Sequence, residues 1–240
     1  MHRSPSDFTP PLNYARVKLV SSFHELVTTP FRDGVNALCW PRILVGDFCE
    51  VVAHLTANEG ISSLDDVTLQ NLPLSAAGRT AVETLIEDQA RLRALGLAPL
   101  LDCIQRYPRD EDGSLVPTDV YSFHADSATV ETDTYLCSYT ESSSEGLRNE
   151  EAQRCVDVPA TRAALLKDFG GTDDAAFLEY LKDNCYDLHY EALPQAQPFS
   201  FGLRNFWRIA VDYPGSPVPP CVHRAPETVP GRPPRLLLIS

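Results

Sequence analysis

The chain is poor in lysine, with three residues against 17 arginines, and acids outnumber both, for a formal net charge of −13 and a pI of about 4.8. Phosphate backbones are held by clustered cations, so this balance argues against a nucleic-acid substrate and favours solubility. No apolar run approaches the length of a membrane span. The opening Met-His-Arg-Ser-Pro-Ser-Asp lacks the apolar stretch of a secretory leader. The seven cysteines form no Cys-x-x-Cys pair and are odd in number. That argues against a zinc ribbon or a full disulfide framework and for reduced, mostly buried thiols in a cytoplasmic protein. Gly-x-Ser-x-Gly, Gly-x-Gly-x-x-Gly and P-loop patterns are absent, which leaves hydrolase, dinucleotide and NTPase readings without support.

What is present fits a globular protein of one or two domains: 240 residues, 43% hydrophobic and 22% charged. Residues 1–15, with Pro5, Pro10 and Pro11, read as a disordered arm. From 16 to 108 the pattern is mainly helical, with apolar residues at helical spacing over 46–57 and 76–95, and Gly96 as a stop. Val35 to Trp40 reads as one short strand in that region. The Arg109-Asp-Glu-Asp-Gly-Ser turn marks a boundary. Beyond it strands are expected at about 119–126, 132–139, 153–157, 206–213, 219–224 and 234–239. A helical insertion covers about 159–190, broken at Gly170-Gly171. On 132–139, Asp133, Tyr135, Cys137 and Tyr139 share one face, most simply an aromatic core face. Arg208 reads as a salt-bridge residue.

Phe123-His124-Ala125-Asp126 carries the sharpest signal. Residues two apart on a strand share a face, so an imidazole and a carboxylate project together. With six His and 19 Asp in the chain, one His-x-Asp is close to what chance supplies. Its weight comes from context: a strand-like flank, a second histidine, His223, on a later strand, and Arg235 opening a last apolar strand, Arg235-Leu-Leu-Leu-Ile. Two imidazoles and one carboxylate make a facial triad for Fe(II) with open coordination positions. A guanidinium suits bidentate pairing with a carboxylate.

At these residues the chain resembles the Fe(II)/2-oxoglutarate-dependent dioxygenases of the double-stranded β-helix superfamily, over roughly Val120 to Ser240. A narrower resemblance, carried by Gly34-Val-Asn-Ala-Leu-Cys-Trp40, Phe123-His-Ala-Asp126, His223-Arg-Ala-Pro226 and Arg235-Leu-Leu-Leu238, is to a family of uncharacterised bacterial proteins with no established substrate. The resemblance implies an α+β protein with a jelly-roll (cupin-like) core over 109–240, a helical N-terminal region packed on the barrel, and the insertion. It implies Fe(II) held by His124, Asp126 and His223, 2-oxoglutarate as co-substrate with its far carboxylate on Arg235, O₂, and oxidation of a small molecule. Arg232 is the fallback for the carboxylate.

Two other functions stay open: a cupin-like dioxygenase or isomerase that does not use 2-oxoglutarate, and a non-enzymatic jelly-roll binding protein. His189 rivals His223 as the third ligand. His54 reads as a structural or surface histidine, and His2 carries no signal. His24-Glu25 fails as a zinc-protease start because position 28 is Thr.

Overall fold

The computed structural model describes residues 10–55, 59–110, 113–229 and 231–240. It is an α+β fold with two β-sheets, and alternation along the last strand explains how the layers stack. In β13 (Arg235–Ile239), Leu236 and Leu238 pack into a core shared with helices, while Leu237 packs into a second core on the opposite face. A strand buried on both sides needs apolar residues at successive positions, which is why this segment reads as a continuous hydrophobic run.

β13 lies inside a seven-stranded sheet. Its order is β1 (Val17–Leu19), β2 (Ala37–Trp40), β11 (Phe206–Ala210), β6 (Asp133–Ser138), β13, β4 (Leu100–Ile104) and β3 (Ile61–Ser63). β1 and β2 run parallel and the remaining pairs antiparallel. The second sheet has six short antiparallel strands: β10 (Phe199–Ser200), β7 (Glu145–Gly146), β12 (His223–Arg224), β5 (Phe123–His124), β9 (His189–Ala192) and β8 (Ala152–Arg154).

Helices cover one face of the larger sheet. α1 (Phe23–Thr28), α2 (Phe48–Ala53), α3 (Asp66–Gln70) and α4 (Ala76–Arg93) bury Leu26, Phe48, Val51, Leu69, Leu85 and Leu92 against Leu38, Leu101, Tyr135, Cys137, Leu236 and Leu238. α4 begins where the Ser75 hydroxyl accepts from the Gly78 amide, and it stops before Gly96, whose φ of 80° is left-handed. A buried polar bridge ties α4 to the residues just past β2 and β6. Asp88 accepts from Arg42 at 2.7 Å and from the Tyr139 hydroxyl at 2.7 Å. Burial pushes the Tyr139 phenol far above its usual range, so it stays a donor.

The other face of the larger sheet, carrying Ala37, Cys39, Leu136, Trp207, Ile209 and Leu237, packs with Phe201 and Cys221, which flank the second sheet's strands β10 and β12. α5 (Pro159–Phe169) ends at the left-handed Gly170, and α6 (Ala175–Asp183) is capped by Asp174. The two helices form a separate small core from Leu165, Phe177, Leu181, Cys155, Val156 and Val116.

Several expectations change. Residues 16–108 hold the expected helices but also β1 to β4, which pair with β6, β11 and β13 from beyond Arg109. The two segments therefore share one sheet, and the turn at 109 does not divide it. β2 falls within the short strand expected from Val35 to Trp40, whereas β1, β3 and β4 escaped notice because they are three to five residues long and are defined by pairing with other segments. The arm expected at 1–15 lies outside the described residues up to position 9. Tyr14 is buried and its hydroxyl donates to Asn149 at 2.9 Å, which anchors the chain there. The strand expected at 119–126 contracts to Phe123–His124, and that at 219–224 to His223–Arg224. β7 and β10 were not anticipated.

Candidate metal centre

Register assembles the site. His223 pairs with His124 across β12 and β5, and His124 pairs with His189 across β5 and β9. Directly opposed residues on paired strands share a face, so three imidazoles form one row. Phe123, Val222 and Tyr190, their neighbours in sequence, pack on the other face. The row faces the space between the sheets, where the His223 ring stacks on Phe201.

Asp126 lies just past β5. Its carbonyl accepts from the Asp212 amide and Ala125 donates to the Leu188 carbonyl, so the turn is held from both sides. The carboxylate oxygens lie 3.9 Å from His124 Nε2 and 3.8 Å from His223 Nε2, and ligand atoms of all three residues fall within 4.8 Å of one another. Ligands bonded to one ion at about 2.0–2.2 Å lie roughly 3–4 Å apart, so only small side-chain shifts separate this arrangement from a closed centre.

The donor set suits a metal for a second reason. His124 Nδ1 lies 2.8 Å from the Ser122 carbonyl, and His223 Nδ1 lies 3.3 Å from the Cys221 carbonyl. A carbonyl only accepts, so each Nδ1 carries the proton and each Nε2 presents a lone pair towards Asp126. Thr134 of β6 donates at 2.6 Å to the carboxylate oxygen that faces His223 and holds it across the sheets. Burial, then His223, push the His124 imidazole down to about 4 against the Ser122 and Asp126 contacts that raise it, so it is neutral and ready to ligate. Burial alone would raise the Asp126 carboxyl, yet His223, the Thr134 bond and His124 together bring it below its ordinary value.

His189 is buried beside the triad, its ring 5.7 Å from that of His124, but it lies outside the cluster of converging ligand atoms. It does not replace His223.

Arg235 occupies the inward face of β13, 4% exposed. One terminal nitrogen donates to the Tyr107 hydroxyl at 3.1 Å. The other donates to Ser138 at 2.9 Å and to Ser144 at 2.8 Å, which joins the larger sheet to the residue before β7. Its Nε is buried without a partner, and among the described residues no carboxylate pairs with it. Burial lowers its pKa, with Tyr107 opposing. The guanidinium borders a cavity of about 370 Å³ that is also lined by Ile104, Pro226, Thr228 and Val229. Arg232 lines the same cavity, as do Glu141 and Glu227, but it is largely exposed and pairs with Glu141 at 3.0 Å.

Sequence reasoning missed Thr134 and Ser138. On β6 attention fell on Tyr135, Cys137 and Tyr139, which pack in the helix-side core, whereas the alternate face carries the hydroxyls that hold Asp126 and Arg235. Two small hydroxyl residues flanking Leu136 on a buried strand were the available signal. Arg208 pairs with Asp133 at 2.6 Å and also caps α1 through the Leu26, Val27 and Thr29 carbonyls. His54 caps α2, His24 is exposed on α1, and His2 lies outside the described residues. All seven cysteines are free, five of them buried. No helix among the described residues is long and apolar enough to cross a membrane.

No family model, no curated protein and no solved structure matches this chain.

Proposed function

We propose that the chain is a non-haem Fe(II) oxygenase that uses 2-oxoglutarate to oxidise a small molecule, on a double-stranded β-helix core formed by the two sheets. The observation that carries this reading is the pairing of two features. One is a triad of two Nε2 lone pairs and a carboxylate. The other is a buried guanidinium on the face of β13 that carries Leu237 towards the second sheet, with hydroxyl partners and, among the described residues, no paired carboxylate.

Each residue has a definable task. His124, His223 and Asp126 would hold Fe(II) on one face and leave the remaining positions open. Ser122 and Cys221 carbonyls fix the tautomers, and Thr134 fixes the carboxylate rotamer. Tyr107, Ser138 and Ser144 each accept from Arg235 and keep a hydroxyl proton to donate, so together with the guanidinium they would hold a carboxylate at several points. A buried cation without an anion is costly, and the far carboxylate of a 2-oxo diacid offsets that cost. When bound, iron and 2-oxoglutarate supply the activation of O₂, with oxidative decarboxylation to succinate and CO₂ coupled to substrate oxidation.

The test is anaerobic Fe(II) binding by the wild-type protein and by His124→Ala and His223→Ala, followed by addition of 2-oxoglutarate. One iron per chain, lost in both variants, with a visible charge-transfer band on adding the 2-oxo acid, is the expected result. Iron uptake that survives both substitutions would overturn the triad. Iron bound normally with no spectral response would turn the reading to a cupin-like metalloenzyme that acts directly on its substrate.

A further inference from the structure

β12 spans two residues, so pairing with β5 and β7 fixes little of its length, and the chain that enters it needs support from outside. That chain, 214–220, holds four prolines. Proline has no amide to donate, so the segment is short of ladder bonds. Two asparagine side chains meet it instead. Asn36 Nδ2 donates to the Pro219 and Pro220 carbonyls, each at 3.1 Å, and Asn149 Nδ2 donates to the Pro220 carbonyl at 3.0 Å. Asn36 Nδ2 also donates to Asn149 Oδ1 at 2.9 Å, which joins the pair.

Asn36 is fully buried just before β2, in the Gly34-Val-Asn-Ala-Leu-Cys-Trp40 stretch. Reversing its amide would set the oxygen against three acceptors, so the orientation is fixed. Its Oδ1 is thereby buried without a partner, which is unfavourable. In return the Pro220–Cys221 peptide is held at both ends. The asparagines hold its carbonyl, and the Ala210 carbonyl accepts from its Cys221 amide at 2.9 Å. The next peptide carries the Cys221 carbonyl that tethers His223 Nδ1. At 3.3 Å that tether is longer than the 2.8 Å tether of His124 and near the limit of a hydrogen bond. A displacement of a few tenths of an ångström would release it.

We propose that Asn36 is a positioning residue for the metal centre. It fixes the Pro219 and Pro220 backbone, and through that backbone the tautomer and ring orientation of His223. This rests on the metal reading given above and adds to it a residue from a remote part of the chain. The tautomer matters because only the Nδ1–H form leaves a lone pair on Nε2 for a metal. His223 Nε2 lies 3.8 Å from Asp126. With the proton on Nε2 instead, the ring would turn to donate to that carboxylate and could not ligate.

The test reads the histidine tautomers of the metal-free full chain by heteronuclear NMR of histidine-labelled protein, with signals assigned by difference from His124→Ala and His223→Ala, and then titrates Co(II). The wild type should show His124 and His223 both as the Nδ1–H tautomer. Asn36→Leu, which keeps the bulk and removes the amide, should give a tautomer mixture at His223 while His124 is unchanged. Its Co(II) dissociation constant should rise about tenfold or more, the usual effect of losing an outer partner of a metal-bound histidine. A purely structural role would lower the urea midpoint and leave both readouts alone. Either readout at its wild-type value in the folded variant overturns the assignment. If Asn36→Leu does not fold, Asn149→Asp is read the same way: it keeps an acceptor for Tyr14 and Asn36 but turns an oxygen, in place of a donor, to the Pro220 carbonyl. Failure of the wild type to take up Co(II) would remove the metal centre, and the tautomer readout would then decide the positioning on its own.

Discussion

Arg235→Met separates a ligand-binding arginine from a structural one. The guanidinium is 4% exposed and makes three hydrogen bonds, all to neutral hydroxyls. Hydrogen bonds to a charged group contribute about 1.5–3 kcal/mol each, while removing the charge from water costs several kcal/mol, with no anion among the described residues to offset it. Methionine fills similar space without a charge. The two effects nearly cancel, so stability without ligand should change by no more than about 2 kcal/mol. With ligand the balance differs. Losing one partner of a buried ion pair costs about 2–4 kcal/mol, or roughly 30- to 1000-fold in affinity for 2-oxoglutarate. The assay is thermal denaturation of the Co(II) protein with and without 2-oxoglutarate at a hundred times the wild-type dissociation constant. Saturation at that level stabilises the wild type by about 2.7 kcal/mol, a rise in Tm of roughly 5–10 °C for a chain of this size. Arg235→Met should keep under about 1 kcal/mol of that gain, and its Co(II) affinity should be unchanged. An equal Tm shift in the variant, or a loss of more than about 4 kcal/mol without ligand, would refute the reasoning and make Arg235 a structural residue.

Other expectations follow from the same contacts. Thr134→Val removes the hydroxyl that orients Asp126 and should weaken Co(II) binding about 10- to 100-fold, which a competition titration reads; unchanged affinity would mean the carboxylate needs no such support. His124 is held down to about 4 by burial and then by His223, against an ordinary value of 6.5. Between those values the unfolded chain binds the extra proton, so metal-free stability is full above about pH 6.5 and falls by up to about 3 kcal/mol as pH drops to about 4. Urea unfolding at several pH values should show that slope in the wild type and a shallower one in His124→Phe; equal slopes would contradict it. Asp88→Ala strands Arg42 and Tyr139 in the helix-side core and should cost about 3–5 kcal/mol in chemical denaturation while leaving Co(II) affinity intact.

Local chemistry made much of the chain readable. α4, α5 and α6 follow from apolar spacing, a serine or aspartate cap, a proline at the first turn and a glycine past the end. Arg235, Leu237 and Ile239 were separable from Leu236 and Leu238 because a strand has period two. The two-residue strands of the second sheet were not readable at their true length. They are defined by pairing with distant partners, and their own residues carry too little periodic signal. Leu100–Ile104 was lost for a similar reason: a short apolar run after a helix does not declare itself a strand until β13 and β3 lie on either side of it.

The sequence by itself determined which side chains could make the chemistry. His124 and Asp126 two apart, a later His223, and an arginine opening an apolar strand are all local facts, as is the excess of acids over lysine and arginine. Tertiary structure alone decided what those residues meet. Strand register put His189 beside His124, and the packing of two sheets brought Thr134 to Asp126 and set Arg235 among Tyr107, Ser138 and Ser144, with no carboxylate paired to it among the described residues. Hydrogen bonding between strands is indifferent to side-chain identity, so pairing is selected by the burial of whole faces over the entire chain. No short window of residues contains that information.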